Sequence, residues 1–162
     1  MRHLLIVLLL AMVYVSNAQS IGGHVGIVHP LFTLSEGETS TIADQYTVGF
    51  PIGLTIKRKS NPSVDFEFVP FMTNGSIDNL LIHPGVLFGL GAGFTFGTRL
   101  AYETGPETYG FTPLLNKGFT IGNNKSIFME LVLPVRFGSR SVLDSSDNFS
   151  AYTIAFHVGI GF

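Results

Sequence analysis

The carboxy-terminal stretch Ser150–Phe162, SAYTIAFHVGIGF, leaves the chain few choices of conformation. Taken two residues at a time, Tyr152, Ile154, Phe156, Val158, Ile160 and Phe162 fall on one side, and Ala151, Thr153, Ala155, His157, Gly159 and Gly161 on the other. Side chains alternate across a strand, so this is a strand with one apolar-aromatic face and one small or polar face. The same alternation recurs upstream. Tyr46–Lys57 sets Tyr46, Val48, Phe50, Ile52, Leu54 and Ile56 against Thr47, Gly49, Pro51, Gly53, Thr55 and Lys57. Val64–Thr73 sets Val64, Phe66, Phe68 and Met72 against Asp65 and Glu67, and Ala92–Glu103 sets Phe94, Phe96, Leu100 and Tyr102 against Thr95, Gly97, Arg99 and Glu103. Leu80–Gly89 opposes His83, Gly85 and Gly89 to its apolar side, and Ser126–Gly138 opposes Glu130, Pro134 and Arg136. Ser20–Leu34 is blurred by Val28 and Phe32, and Tyr109–Ile121 is weaker. Eight strands are expected.

The connections carry turn chemistry. Asn74–Asn79 contains Asn-Gly, Thr104–Thr108 Gly-Pro, Gly122–Lys125 Gly-Asn-Asn and Arg58–Ser63 Asn-Pro; the link near Gly89–Gly93 is tight, and Ser35–Gln45 and Ser139–Ser150 are long. Residues of this kind at hairpin length predict that consecutive strands are antiparallel neighbours. An even count then puts both termini at one end, with the Ser35, Asn74, Thr104 and Ser139 links at the other. The expected fold is all-β, an eight-stranded antiparallel up-and-down barrel.

Met1–Ala18 has a basic start, an apolar run Leu4–Val15 and the small residues of Ser16-Asn17-Ala18. The run is shorter than the ~20 residues a membrane-spanning helix needs, so it reads as a cleaved secretory signal. Residues 19–162 then form one barrel domain. The formal net charge is -2, and losing Arg2 with the signal takes it to -3. That balance excludes a strongly basic nucleic-acid binder. With no cysteine there is no disulfide, thiolate metal site or cysteine nucleophile.

Alternation alone does not say which face turns inward. A soluble lipocalin-type barrel would hold its apolar face inside around a ligand. Its exterior would carry many Lys and Glu, yet charged residues make up only 12% here, and there is no Trp for the lipocalin signature. Polar faces rich in Gly and Thr suit a narrow filled lumen. Strands of about ten to thirteen residues, rising ~3.3 Å each at ~40° tilt, cross the ~25 Å apolar band of a transmembrane barrel. Tyr46, Tyr102, Tyr109 and Tyr152 lie at strand ends beside the long links, where an interfacial aromatic belt is expected.

The terminal strand, with its alternation ending on Phe162, resembles that of bacterial outer-membrane β-barrels. The whole of residues 19–162 looks like the small eight-stranded barrels of the OmpA/OmpX-like group, in a style familiar from Bacteroidetes. The resemblance implies a Gram-negative outer-membrane location with both termini periplasmic. It implies contact with outer-membrane lipid and lipopolysaccharide, and passage through the barrel-assembly machinery. Tyr152, Phe156 and Phe162 would carry the assembly signal.

The face assignment sends Lys57, Asp65, Glu67, His83, Arg99, Glu130, Arg136 and His157 into the lumen. Buried charges are tolerable only when paired, so a structural ionic and hydrogen-bonded plug is expected. Arg99 and Arg136 are each expected to be held by at least one of the carboxylates Asp65, Glu67 and Glu130. His24, Glu130 and His157 lie near the closure seam and could ligate a metal, but without a local spacing motif. No catalytic residue, cofactor or metal is assigned. Outer-membrane lipid A deacylases use a Ser and a His near the lipid boundary; here no His-x-Ser pair occurs. The predicted outer links are acidic, with Glu36, Glu38, Asp44, Asp78, Glu107, Asp144 and Asp147 against Arg140. They could bridge to lipopolysaccharide through divalent cations or meet a partner that the sequence does not name. The leading expectation is a non-enzymatic structural or adhesion platform, with a lipid-modifying enzyme or a narrow pore as alternatives.

Overall fold

The computed structural model describes residues 20–57, 61–105, 107–142 and 145–162, without the side chains of 139–148. The expected signal segment Met1–Ala18, the basic pair Arg58-Lys59 and the side chains of Arg140, Asp144 and Asp147 lie outside the described residues. The strands are β1 (Ser20–Ser35), β2 (Glu38–Thr41), β3 (Thr47–Gly49), β4 (Ile52–Lys57), β5 (Ser63–Thr73), β6 (Ser76–Gly91), β7 (Phe94–Glu103), β8 (Thr108–Gly122), β9 (Lys125–Val132), β10 (Val135–Val142) and β11 (Ser145–Gly161).

All neighbours pair antiparallel. β1 pairs with β11 from His24↔Gly161 to Ser35↔Ala151, which closes the ring. At the seam Gly23 and Phe162 exchange both backbone hydrogen bonds, at 2.7 and 2.9 Å. The ring has eight staves, two of them broken. β3 and β4 make one stave interrupted at Phe50-Pro51, and β9 and β10 make another interrupted at Leu133-Pro134. A proline has no N–H to donate, so each break withdraws a donor instead of stranding one. The flanking groups stay bonded across the break: Gly26 N to Pro51 O at 3.0 Å, Phe50 N to Pro70 O at 3.0 Å, and Thr153 N to Pro134 O at 2.8 Å. Lipid offers a free backbone group nothing, so this satisfaction is a condition for spanning.

A register shift between Pro30 and Phe32 explains why Phe32 breaks the pattern of the first segment, while Val28 is simply an apolar residue on the inward face. Val28 is buried in the lumen before it, whereas Phe32 and Leu34 are exposed after it. The extra residue of a bulge turns every later side chain to the other face.

The long links differ from expectation. Glu36 and Gly37, at φ 54° and 81°, fold β2 back on β1 with Phe32↔Thr41 to Ser35↔Glu38 in register. β10 and β11 stay paired out to Val142↔Ser145. Asn74 and Gly75 close β5 and β6 in a two-residue turn at φ 51° and 87°. The loop end is thus a set of hairpin extensions, because the alternating strands carry on pairing past the apolar band.

The exterior is apolar. Phe66, Phe96, Leu100, Leu115, Met129 and Ile154 are all exposed at mid-strand, as are Tyr46, Tyr102, Tyr109 and Tyr152 at the loop-side ends. The lumen instead buries Asp65, Glu67, His83, Arg99, Glu130 and His157. An apolar exterior around a charged interior is the inverse of a soluble barrel and suits lipid. Phe96→Arg should therefore destabilise folding into lipid vesicles by ~2–4 kcal/mol. Thr47→Arg, which points into the loop-side mouth, should cost less; urea titration in vesicles checks the order.

Candidate functional site: an ionic lock in the lumen

Strand register places the inward polar residues in rows. One row runs His24, Gly53, Glu67, His83 across β1, β4, β5 and β6. The next runs Asp65, Gly85, Arg99, Thr112 across β5, β6, β7 and β8. On the far wall His157, Glu130 and Asn116 are direct neighbours across β11, β9 and β8.

The glycines in these rows let side chains reach over a whole strand. Gly85 lies between Arg99 and Asp65; a Cβ there would come within 2.5 Å of Arg99 Cγ and 2.6 Å of Thr98 O. Gly53 lies between His24 and Glu67, and a Cβ there would collide with His24 Nε2.

Across these gaps Arg99 is held by three carboxylates. Its Nε donates to Asp65 Oδ2 at 2.7 Å, its Nη1 to Glu130 Oε1 at 2.8 Å, and its Nη2 lies 3.1 Å from Glu67 Oε1. The acceptors have further partners. Thr55 Oγ1 donates to Asp65 at 2.7 Å and Asn116 Nδ2 to Glu130 at 3.1 Å. His24 Nε2 is 2.9 Å from Glu67 Oε1, His83 Nδ1 is 3.4 Å from Glu67 Oε2, and His157 Nδ1 is 3.3 Å from Glu130 Oε1. Asp65 is 0% exposed and Arg99 3%, so solvent screening is weak at the centre. Phe128, which the sequence reading left unassigned, sets its ring edge-on to both His24 and His157, at 6.0 and 4.9 Å between centroids.

A second cluster lies toward the loops. Arg136 Nε donates to Glu103 Oε1 at 2.7 Å, and its Nη1 to Thr112 Oγ1 at 3.1 Å. Glu103 Oε2 also accepts from Thr108 at 3.1 Å and Asn79 at 3.2 Å. The expectation that Asp65, Glu67 or Glu130 would hold Arg136 is therefore corrected: all three belong to the Arg99 centre, and Glu103 takes Arg136. Glu103 was visible on the polar face of its segment but sits at a strand end, and only register shows that it overhangs the lumen. Lys57 lines the terminal vestibule but takes no part in the lock. As the last residue of β4 it is exposed at the rim of the terminal mouth, away from the lock. His83 Nε2 lies 2.9 Å from Thr112 Oγ1 and so joins the two clusters.

The lock divides the lumen. A loop-side vestibule of about 620 Å³ is lined by Val69, Leu81, Val132, Glu103 and Arg136, and a terminal vestibule of about 660 Å³ by His24, Lys57, Phe128 and Phe162. Arg99 and Glu130 line both. Of the buried acid and histidine groups, His24, Asp65 and Glu67 lie close enough to share a cation, as do Glu67, Glu130 and His157. Arg99 already supplies a cation to each carboxylate in these sets. The proposed trio His24, Glu130 and His157 is split between the two sets.

No protein-family profile matches the sequence, and no curated protein does. Among solved structures, the outer-membrane protein AlkL in lipid bilayers is similar over 90% of both chains, with a TM-score of 0.54 at 8% identity. OprG from Pseudomonas aeruginosa is matched over 87% of this chain and 93% of its own, with a TM-score of 0.46 at 10% identity. At such identity the AlkL likeness concerns the fold alone.

The geometry predicts strong coupling within the second cluster. Arg136→Met or Glu103→Met should each cost ~3–5 kcal/mol where the pair stays dry and less where vestibule water reaches it. The double change should recover much of that loss. Urea unfolding in detergent checks the cycle, and additive effects would show the pair to be uncoupled.

Proposed function

We propose that the chain is an integral outer-membrane barrel, closed to potassium and chloride, that acts without catalysis as a structural or partner-binding platform through its loop-side mouth. The observation that carries this reading is the seating of Arg99 between Asp65, Glu67 and Glu130, which fills the lumen between the two vestibules. The fold shared with AlkL, an outer-membrane protein, supports the location. Both termini then face the periplasm and the hairpin extensions face outward. Tyr152 and Phe156, exposed along the lipid face of β11, and Phe162, exposed just past its end, serve as the assembly signal for the barrel-assembly machinery.

Charge supports the same orientation. Glu36, Glu38, Asp44, Asp78 and Glu107 are exposed at the loop end, and Lys57 and Lys125 at the terminal end. The Asp44 carboxyl accepts hydrogen bonds from Thr41 Oγ1 and Thr41 N, which hold it below the usual carboxylate range. An acidic outer mouth meets lipopolysaccharide phosphates through divalent cations or takes a cationic partner surface.

The purified barrel in a planar bilayer should show no steady potassium or chloride conductance, and its expression should leave the mass of lipid A unchanged. A steady conductance would favour the pore, and a lipid A mass shift the lipid-modifying enzyme. Phe162→Asp should leave a protease-sensitive chain outside the outer membrane; normal insertion and a compact unboiled gel band would remove the assembly role.

A further inference from the structure

The lock holds more acid than its arginine needs. One guanidinium faces three carboxylates, and three imidazoles surround them. Asp65 and Glu130 alone would hold Arg99 by its Nε and Nη1. Glu67 is the carboxylate that both remaining structural features single out. It stands between two histidines, and those histidines belong to opposite halves of the lumen. His24 lines the terminal vestibule, and His83 lines the loop-side vestibule.

Their geometry is that of a relay. His24 Nε2 lies 2.9 Å from Glu67 Oε1 across the gap at Gly53. His83 Nδ1 lies 3.4 Å from Glu67 Oε2. That nitrogen is buried, forms no hydrogen bond and has Glu67 as its nearest ionic neighbour. The other nitrogen of His83 meets the Thr112 hydroxyl at 2.9 Å, on the wall of the loop-side vestibule. His157 is built differently. Its Nδ1 faces Glu130, and its Nε2 lies over Gly26 without a hydrogen-bond partner, so no hydrogen bond carries it on to a second group.

We propose that the barrel conducts protons while excluding other ions, through His24, Glu67 and His83. A proton from terminal-side water forms an N–H bond at His24 Nδ1 as the Nε2–H bond breaks and its proton passes to Glu67 Oε1. The neutral carboxyl turns about Cγ–Cδ and gives that proton to His83 Nδ1. The Nε2 proton of His83 then leaves by way of the Thr112 hydroxyl to loop-side water. One X–H bond forms and one breaks at each hop, one proton crosses in all, and nothing is oxidised or reduced. Ring flips reset the imidazoles. Arg99 keeps Asp65 and Glu130 while Glu67 is neutral, which gives the surplus carboxylate a purpose. The reverse direction uses the same hops.

The inference rests on the lumen being closed to potassium and chloride, and the test separates the two. Full-length barrel is reconstituted into vesicles enclosing a pH-sensitive dye, and a potassium diffusion potential set with valinomycin drives protons. Potassium and chloride leak are measured in the same vesicles without valinomycin. The expected result is proton flux well above protein-free vesicles, no potassium or chloride leak, and slower flux in heavy water. His24→Phe and His83→Phe should each lower the flux at least tenfold, while His29→Phe, on β1 and bonded to Thr47 O outside the lock, leaves it unchanged. All three variants are compared only after each shows a compact unboiled gel band. Potassium or chloride leak would overturn the closed-lumen reading and this one with it. Wild-type vesicles tight to all ions, protons included, would overturn the relay alone. Equal loss of flux in all three variants would also overturn it, since that would mark general loosening of the barrel.

Discussion

A guanidinium in the lumen of a narrow barrel has lost most of its water, and it stays charged at any pH the protein meets. The wall must therefore supply acceptors from several directions. Here β5 supplies two carboxylates and β9 a third, and the side chain of Arg99 crosses β6 to reach the first of them. The crossing is possible because Gly85 stands directly between Arg99 and Asp65 in the register. Gly53 serves His24 in the same way. The inward glycines thus provide volume, and the charged side chains use it. The rest of the lumen is arranged around that exchange.

Apolar side chains pack beside the lock. Val28, Val69, Leu81, Leu114, Val132 and Ala155 form an apolar layer within the barrel, with Phe71 and Leu87 packed against it. Phe128 lies against the histidines and lines the terminal vestibule. Low local polarity strengthens each charged hydrogen bond and raises the cost of leaving one unmade. Both consequences favour a lumen that stays filled. The loop-side vestibule, with the paired hairpins around it, lies on one side of the lock and the terminal vestibule on the other.

Much of the fold was legible because a strand's period is two and lipid imposes it on every stave. The faces of β5, β7 and β11 follow directly from their alternation. The harder positions were those where the period is broken. The shift at Pro30/Phe32 reversed the faces of β1, and the proline breaks left Pro51 and Pro134 looking like ordinary polar-face residues. The link Ser35–Gln45 read as a loop because its polar residues carry no alternation, yet β2 pairs there with β1. Within the site, face assignment identified most of the lumen charges but not their partners. Partnership depends on strand register, and register is set by turns and bulges that alternation does not encode. Glu103 and Arg136 find each other for that reason, and Lys57 is left at the rim.

The central claim is that Arg99 is bound on three sides by carboxylates in a water-poor lumen. Nitrogen-detected NMR of the barrel in lipid bilayers, with arginine side chains labelled, tests it most directly. The account predicts that Arg99 Nε–H and both Nη groups resist exchange with deuterated water, and that its side-chain nitrogens show contacts to the carboxylate carbons of Asp65, Glu67 and Glu130. A guanidinium that exchanges as fast as a free arginine, with no carboxylate contact, would contradict it.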